Sequence, residues 1–119
     1  MNEFEALYSF FNSFDLPGYP SQGVPPKTEY PYLTYEAKMG LPFEGGVSCA
    51  VNIYYRTDSE AIPNIKAKEI VNKIGKGGLM VPYNGGSIWI TTAEPAITPI
   101  ADVNTSIKRR QVLLMLNYL

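Results

Sequence analysis

The chain opens with apolar residues at helical spacing. Phe4, Leu7, Tyr8, Phe11 and Phe14 fall on one side, and Glu3, Glu5, Ser9 and Asn12 on the other. This predicts an amphipathic helix with that stripe buried. Asn2 followed by Glu5 fits a capping box, and acids in the first turn suit the positive end of the helix dipole. Phe10 lies off the stripe, at the edge of the core or on a contact surface. From Tyr30 the period changes to two: Tyr30, Tyr32, Thr34 and Glu36 share one face, with Leu33, Tyr35 and Ala37 on the other. Pro31 places the start of this run at an edge or a strand end. "MGLPFEGG" interrupts the alternation, and Val47 to Arg56 restores it, with Val47, Cys49, Val51, Ile53 and Tyr55 forming the apolar face. The two runs are expected to pair as an antiparallel hairpin with a wide connection.

A second helix follows, capped by Ser59 or Asn64 with Pro63 near its start. Ala67, Ile70, Val71 and Ile74 form its stripe. Lys66, Lys68, Glu69, Asn72 and Lys73 are expected to face water, and Gly75 ends the helix. "LMVPY" and "SIWITT" flank "NGG", a hairpin signal. Pro95 and Pro99 predict that "AEPAITPIADVNTS" is irregular, and the final "IKRRQVLLMLNYL" reads as a strand buried on both sides. The sum is an α+β fold in one domain, residues 1–119. A mostly antiparallel sheet of about five strands carries two helices on one face.

The segment from Asp15 to Thr28 holds four prolines and two glycines and reads as a long loop. Loops of this kind are either plain crossovers or segments that order on a partner, for which Tyr19 and Val24 offer side chains. Length and composition narrow the chemistry. The 119 residues suit a single core, and a charged fraction of 18% leaves a surface poor in charge, which points to buried interfaces. A net charge of -1 lacks the basic footprint of a dedicated nucleic-acid binder. With no histidine, the chain has no Ser-His-Asp or Cys-His nucleophile system and no histidine-ligated metal site. Cys49 is the sole cysteine, so an intrachain disulfide is impossible and a small core residue is expected. The acidic N-terminal stretch does not resemble a signal peptide, and no apolar run approaches the ~20 residues that span a bilayer. A cytoplasmic, reducing setting is expected.

Motifs for catalysis are weak. "GKGG" at Gly75 to Gly78 lacks the phosphate-loop spacing and follows a helix instead of preceding one. Asp58 with Glu60, or Glu94 with Asp102, would form an acid-base pair only if a pocket brought them together. In "KRR" strand alternation puts Lys108 and Arg110 on one face and Arg109 on the other. No enzyme activity and no cofactor are expected. The aromatics are more informative. If the apolar face of Val47 to Tyr55 meets the helices, Tyr54 faces away, and Trp89 likewise lies opposite Ile88 and Ile90. Exposed Tyr and Trp on a sheet suit a partner, because they bury large area at low entropic cost.

Taken in order, the aromatic N-terminal helix, the proline-rich crossover, "PYLTYE", "VSCAVNIYYRT", "AKEIVNKIGKGG", "WITTAEPAITPI" and "RRQVLLMLNYL" resemble tail terminator proteins of long-tailed bacteriophages and related tail-like particles. The resemblance lies in order and texture across nearly the whole chain. It implies an α+β subunit that forms a hexameric ring on the end of the tail tube, stops tube polymerisation and offers a docking surface to the head connector. The partners it implies are further copies of the chain, the tail tube protein, a head-tail connector or neck protein, and in contractile tails a sheath protein. No membrane and no sequence-specific nucleic acid are expected. It also implies assembly in the host cytoplasm and a final place in the virion. Head-closure and other neck proteins share the size range, and a small protein-binding adaptor is the alternative outside virions. From the residue pattern alone, the expected contacts are Tyr19 and Val24 in the first loop, Leu41, Phe43 and Glu44 in the hairpin connection, Tyr54 and Trp89 on strand faces, and Ile97, Ile100 and Val103 in the last loop. Lys108 and Arg109 are expected to form interchain salt bridges.

Overall fold

Helix α1 (Glu3–Phe11) starts at the predicted cap. In the computed structural model, which describes residues 1–42 and 44–119, Asn2 Oδ1 accepts from the Glu5 amide at 2.8 Å and Glu5 Oε1 from the Asn2 amide at 2.9 Å. The helix buries Ala6, Leu7, Phe10 and Phe11. Its inward arc is therefore turned by roughly 60° from the predicted stripe, at about 100° per residue. Phe10 belongs to the core, whereas Phe4 and Tyr8, expected inside, are 46% and 52% exposed. Phe14 lies beyond the helix and folds back edge-on against Phe10 at 5.3 Å. That contact, with the small Ala6 beside it, draws this side of the helix inward and turns Phe4 and Tyr8 out.

The strands are β1 (Gly18–Pro20), β2 (Tyr32–Tyr35), β3 (Val47–Arg56), β4 (Leu79–Tyr83), β5 (Gly86–Ile100) and β6 (Ile107–Tyr118), with helix α2 (Ala61–Ile74) between β3 and β4. They form one six-stranded sheet in the order β1-β2-β3-β6-β5-β4, antiparallel except for the β1–β2 pair. The sixth strand, β1, lies inside the segment predicted as loop, so Tyr19 is a strand residue. The Asn12 side chain builds this strand's start by accepting from the Gly18 amide at 2.9 Å and donating to the Gly18 carbonyl at 3.1 Å. Only glycine fits there, since a Cβ would sit 2.8 Å from the Phe11 carbonyl oxygen.

Two further predictions change. The segment containing Pro95 and Pro99 continues β5 as far as Ile100, because a register shift between Thr92 and Ile97 takes up the extra residues around Pro95. Ile97 and Ile100 are thus strand residues and not loop residues. Strand β6 is covered on one side only: Val112, Leu114, Leu116 and Tyr118 are buried, but Leu113 and Met115 are half-buried. In α2, Pro63, Ala67, Ile70 and Ile74 face inward. Neither Ser59 nor Asn64 is its N-cap residue; Glu60 holds that position without a side-chain cap bond, while Ser59 Oγ accepts from the Ala61 amide at 3.2 Å. Lys66 does not simply face water, since its ammonium reaches the Phe14 carbonyl at 2.7 Å.

Both helices lie on one face of the sheet, over a core that includes Leu33, Tyr35, Cys49, Val51, Ile53, Ile88, Ile90, Val112, Leu114 and Leu116. Phe11 stacks on Tyr35 with ring centroids 4.4 Å apart. Helix α2 contacts the central strands β3, β6 and β5, while α1 contacts β1 and β4, the two opposite edges. The sheet therefore curls around the helices with α1 across the gap between its edges. Covering edges in this way blunts their unpaired amides and carbonyls as templates for strand addition. Among the described residues the outer face of the sheet has no second layer.

Candidate functional site

On that outer face, consecutive strands set aromatic and guanidinium groups side by side. Register pairs Tyr32 with Tyr54, Tyr54 with Arg109, and Arg109 with Ile100, so one row crosses β2, β3, β6 and β5. Tyr32 alternates with Leu33, Tyr54 with Ile53 and Arg109 with the buried Arg110, so these three point away from the helices, and Ile100 takes the same outward side as Arg109 through the register. Tyr32 and Tyr54 stack at 4.9 Å with an interplanar angle of 18°. Tyr19 on β1 meets Tyr32 edge-on at 6.2 Å, and Tyr30 lies 5.3 Å from Tyr32. The Arg109 guanidinium sits over the Tyr54 ring at 5.5 Å and that of Arg56 over Tyr30 at 5.0 Å. Arg109 also donates through Nε to Asn52 Oδ1 at 3.0 Å. Cross-strand pairs of this kind each contribute roughly 0.2–1 kcal/mol and hold the side chains in a fixed array.

Among the described residues, neither Arg56 nor Arg109 forms an ion pair. Their charges are balanced by rings and amides, which leaves them available to a carboxylate. Burial first, then the neighbouring Tyr30 and Tyr54, pushes the Tyr32 phenol above its ordinary value, so it stays neutral near pH 7. Beyond the row the outer face continues through Asn52 and Gln111, then Ala50 and Leu113, then Ser48, Met115 and Thr91.

The remaining predicted contacts scatter. Trp89 is 40% exposed and lies near the other end of β6, opposite Asn117, about 26 Å from Arg109 at roughly 3.3 Å per strand residue. Its indole N–H donates to the Gly77 carbonyl at 3.1 Å, which ties it to the turn after α2. Ile97 packs against the core. Val24 is half-buried, Leu41 and Glu44 are exposed, and Val103 is fully exposed in the β5–β6 connection. Phe43 lies outside the described residues. Lys108 has a carboxylate partner within its own chain, Glu60, at 3.6 Å.

Two features were missed. Arg110, 5% exposed, points to the helix side and donates to Asn64 Oδ1 at 2.7 Å and to Glu60. Its hydrogen bond to Glu60, followed by the charges of Arg110 and Lys108, holds the Glu60 carboxyl below the usual range despite an opposing burial effect. Parity with Val112 and Leu114 was the signal for its burial. The second is an apolar groove of about 480 Å³ between α1 and the β1–β2 edge, lined by Met1, Phe4, Glu5, Tyr8, Pro20 and Tyr35 among others. It exists because α1 is turned, which its own periodicity does not reveal. Among the described residues no helix is long and apolar enough to cross a membrane. No family model and no curated protein matches this chain.

Proposed function

We propose that this chain is a tail terminator subunit: copies form a ring on the tip of a phage-type tail tube, end its growth and offer a surface to the head connector. The observation that carries the reading is the uncovered outer face of the sheet, where the Tyr19–Tyr32–Tyr54–Arg109 row and the half-buried Leu113 and Met115 lie opposite a complete helix layer. A subunit built to stack into a ring needs two different surfaces that fit each other. Here one is the outer face of the sheet and the other is the exposed side of α1 in the helix layer. The edges covered by α1 suit a terminator as well, since an end-capping ring must not present a fresh strand edge to the next tube subunit. Burial of the outer face on assembly contributes roughly 25 cal/mol per Å² before association costs.

The test is tube growth. A phage-type tail tube protein is allowed to polymerise with and without the purified chain, and lengths and tips are measured by electron microscopy. The reading expects growth to stop and rings to appear at one end of each tube. Unchanged lengths and bare tips would reject it. Binding to a connector component with no effect on tube growth would move the assignment to a head-closure protein.

A further inference from the structure

We infer that the outer side of α1 in one copy docks onto the tyrosine–arginine row of the next copy, forming the junction by which the chain assembles head to tail. This rests on the ring reading and names its contact. The occupant follows from charge. Residues 1–26 contain Glu3, Glu5 and Asp15 and no lysine or arginine, so α1 is wholly acidic. The row carries Arg56 and Arg109, neither in an ion pair among the described residues. Asp102 is the acid whose charge reaches Tyr32 in the row, and the two guanidiniums outnumber it, so the row presents net positive charge to the acidic helix.

Shape agrees with charge. Phe4, Glu5 and Tyr8 all line the exposed groove on α1. Phe4 and Tyr8 are one turn apart, about 6 Å along the axis. The Tyr19, Tyr32 and Tyr54 rings follow one another at 6.2 and 4.9 Å across the strands. A helix laid across the strands therefore brings its two exposed rings into step with the row. Glu5 uses Oε1 to accept from the Asn2 amide, and its other oxygen has no partner among the described residues, so it can accept from a guanidinium. The two surfaces lie on opposite sides of the sheet. A copy therefore cannot satisfy both with a single partner, and the contact propagates until a ring closes.

The experiment uses two full-length variants and a control, each checked for native circular dichroism and melting. Phe4→Ser/Tyr8→Ser removes the helix surface while sparing the capping box, and Arg56→Glu/Arg109→Glu removes the row. Ile65→Ser alters an exposed apolar residue on α2 outside both surfaces. Masses are measured by sedimentation at sub-millimolar concentration, in low and high salt. Wild type and the Ile65 variant are expected to associate beyond dimers, less so in high salt. Each double variant should associate at least roughly tenfold more weakly. An equal mixture of the two double variants retains one intact junction per pair and should stop at dimers. Association of either variant like wild type, larger species in the mixture, or failure of the mixture to pair would overturn the inference. So would a monomeric wild type. Rings on tube tips would still uphold the ring reading in any of these cases, whereas loss of both the rings and the self-association would remove the two together.

Discussion

Replacing Phe11 and Phe4 by alanine, one at a time, separates the helix the periodicity describes from the helix the fold uses. Both belong to the apolar stripe of α1, yet Phe11 is fully buried and Phe4 is 46% exposed. Phe11 stacks on Tyr35 at 4.4 Å and meets Phe10 edge-on at 5.0 Å, so its removal opens a cavity beneath the helix. Loss of transfer energy plus the cavity is expected to cost about 3–5 kcal/mol. Phe4 loses only part of the 1.5–3 kcal/mol of a fully buried side chain and leaves no cavity, so about 1 kcal/mol is expected. With a urea slope of roughly 2 kcal/mol/M, the midpoint should fall by about 2 M for Phe11→Ala and by about 0.5 M for Phe4→Ala. The assay is urea unfolding followed by circular dichroism, with slopes compared to exclude changes in the unfolded state. It is run at micromolar concentration, where association makes little contribution. Equal losses would refute the turned helix and, with it, the exposed groove.

Other consequences are as direct. Burial raises the Cys49 thiol to about 12, so the native protein should resist a thiol-specific chromophore at pH 8 and react fully in denaturant; rapid native reaction would contradict the packing. Gly78 has φ 87°, and a Cβ there would lie 2.8 Å from the Ile90 carbonyl oxygen, so Gly78→Ala should cost about 2 kcal/mol or more and lower the melting temperature by roughly 10 °C in a thermal scan. Arg110 holds the Glu60 carboxyl below its usual value. A lowered folded-state value means the contribution is complete above the ordinary carboxylate range and disappears as pH falls through the lowered one. Stability measured against pH should therefore have a shallower acid limb in Glu60→Gln than in wild type.

Much of this architecture was legible because a strand's two faces are fixed by parity. Val47 to Arg56 gave both the core face and the outward Tyr54 without further information, and "KRR" correctly separated Arg109 from Lys108 and Arg110. What escaped depended on contacts distant in sequence. Strand β1 is held by the Asn12 side chain and a close approach of Gly18 to Phe11, neither of which has a periodic signature. The reach of β5 past Pro95 required a register shift against β6. The contiguous "VLLML" suggested a strand buried on both sides. The fold supplies only one cover, so Leu113 and Met115 stay half-buried. The row itself was only half visible: Tyr54, Arg109, Tyr19 and Ile100 were singled out separately, and the register that joins them through Tyr32 appears only once the strands are ordered.

The account stands on an outer sheet face that is wet in the lone subunit and covered after assembly. Hydroxyl-radical footprinting read by mass spectrometry, on dilute protein and on protein bound to tube tips, tests this at Tyr32, Tyr54 and Met115. The account predicts ready oxidation of all three in the dilute sample and strong protection on the tubes, with buried Phe11 unreactive in both. Equal oxidation of the three residues in the two samples would contradict it.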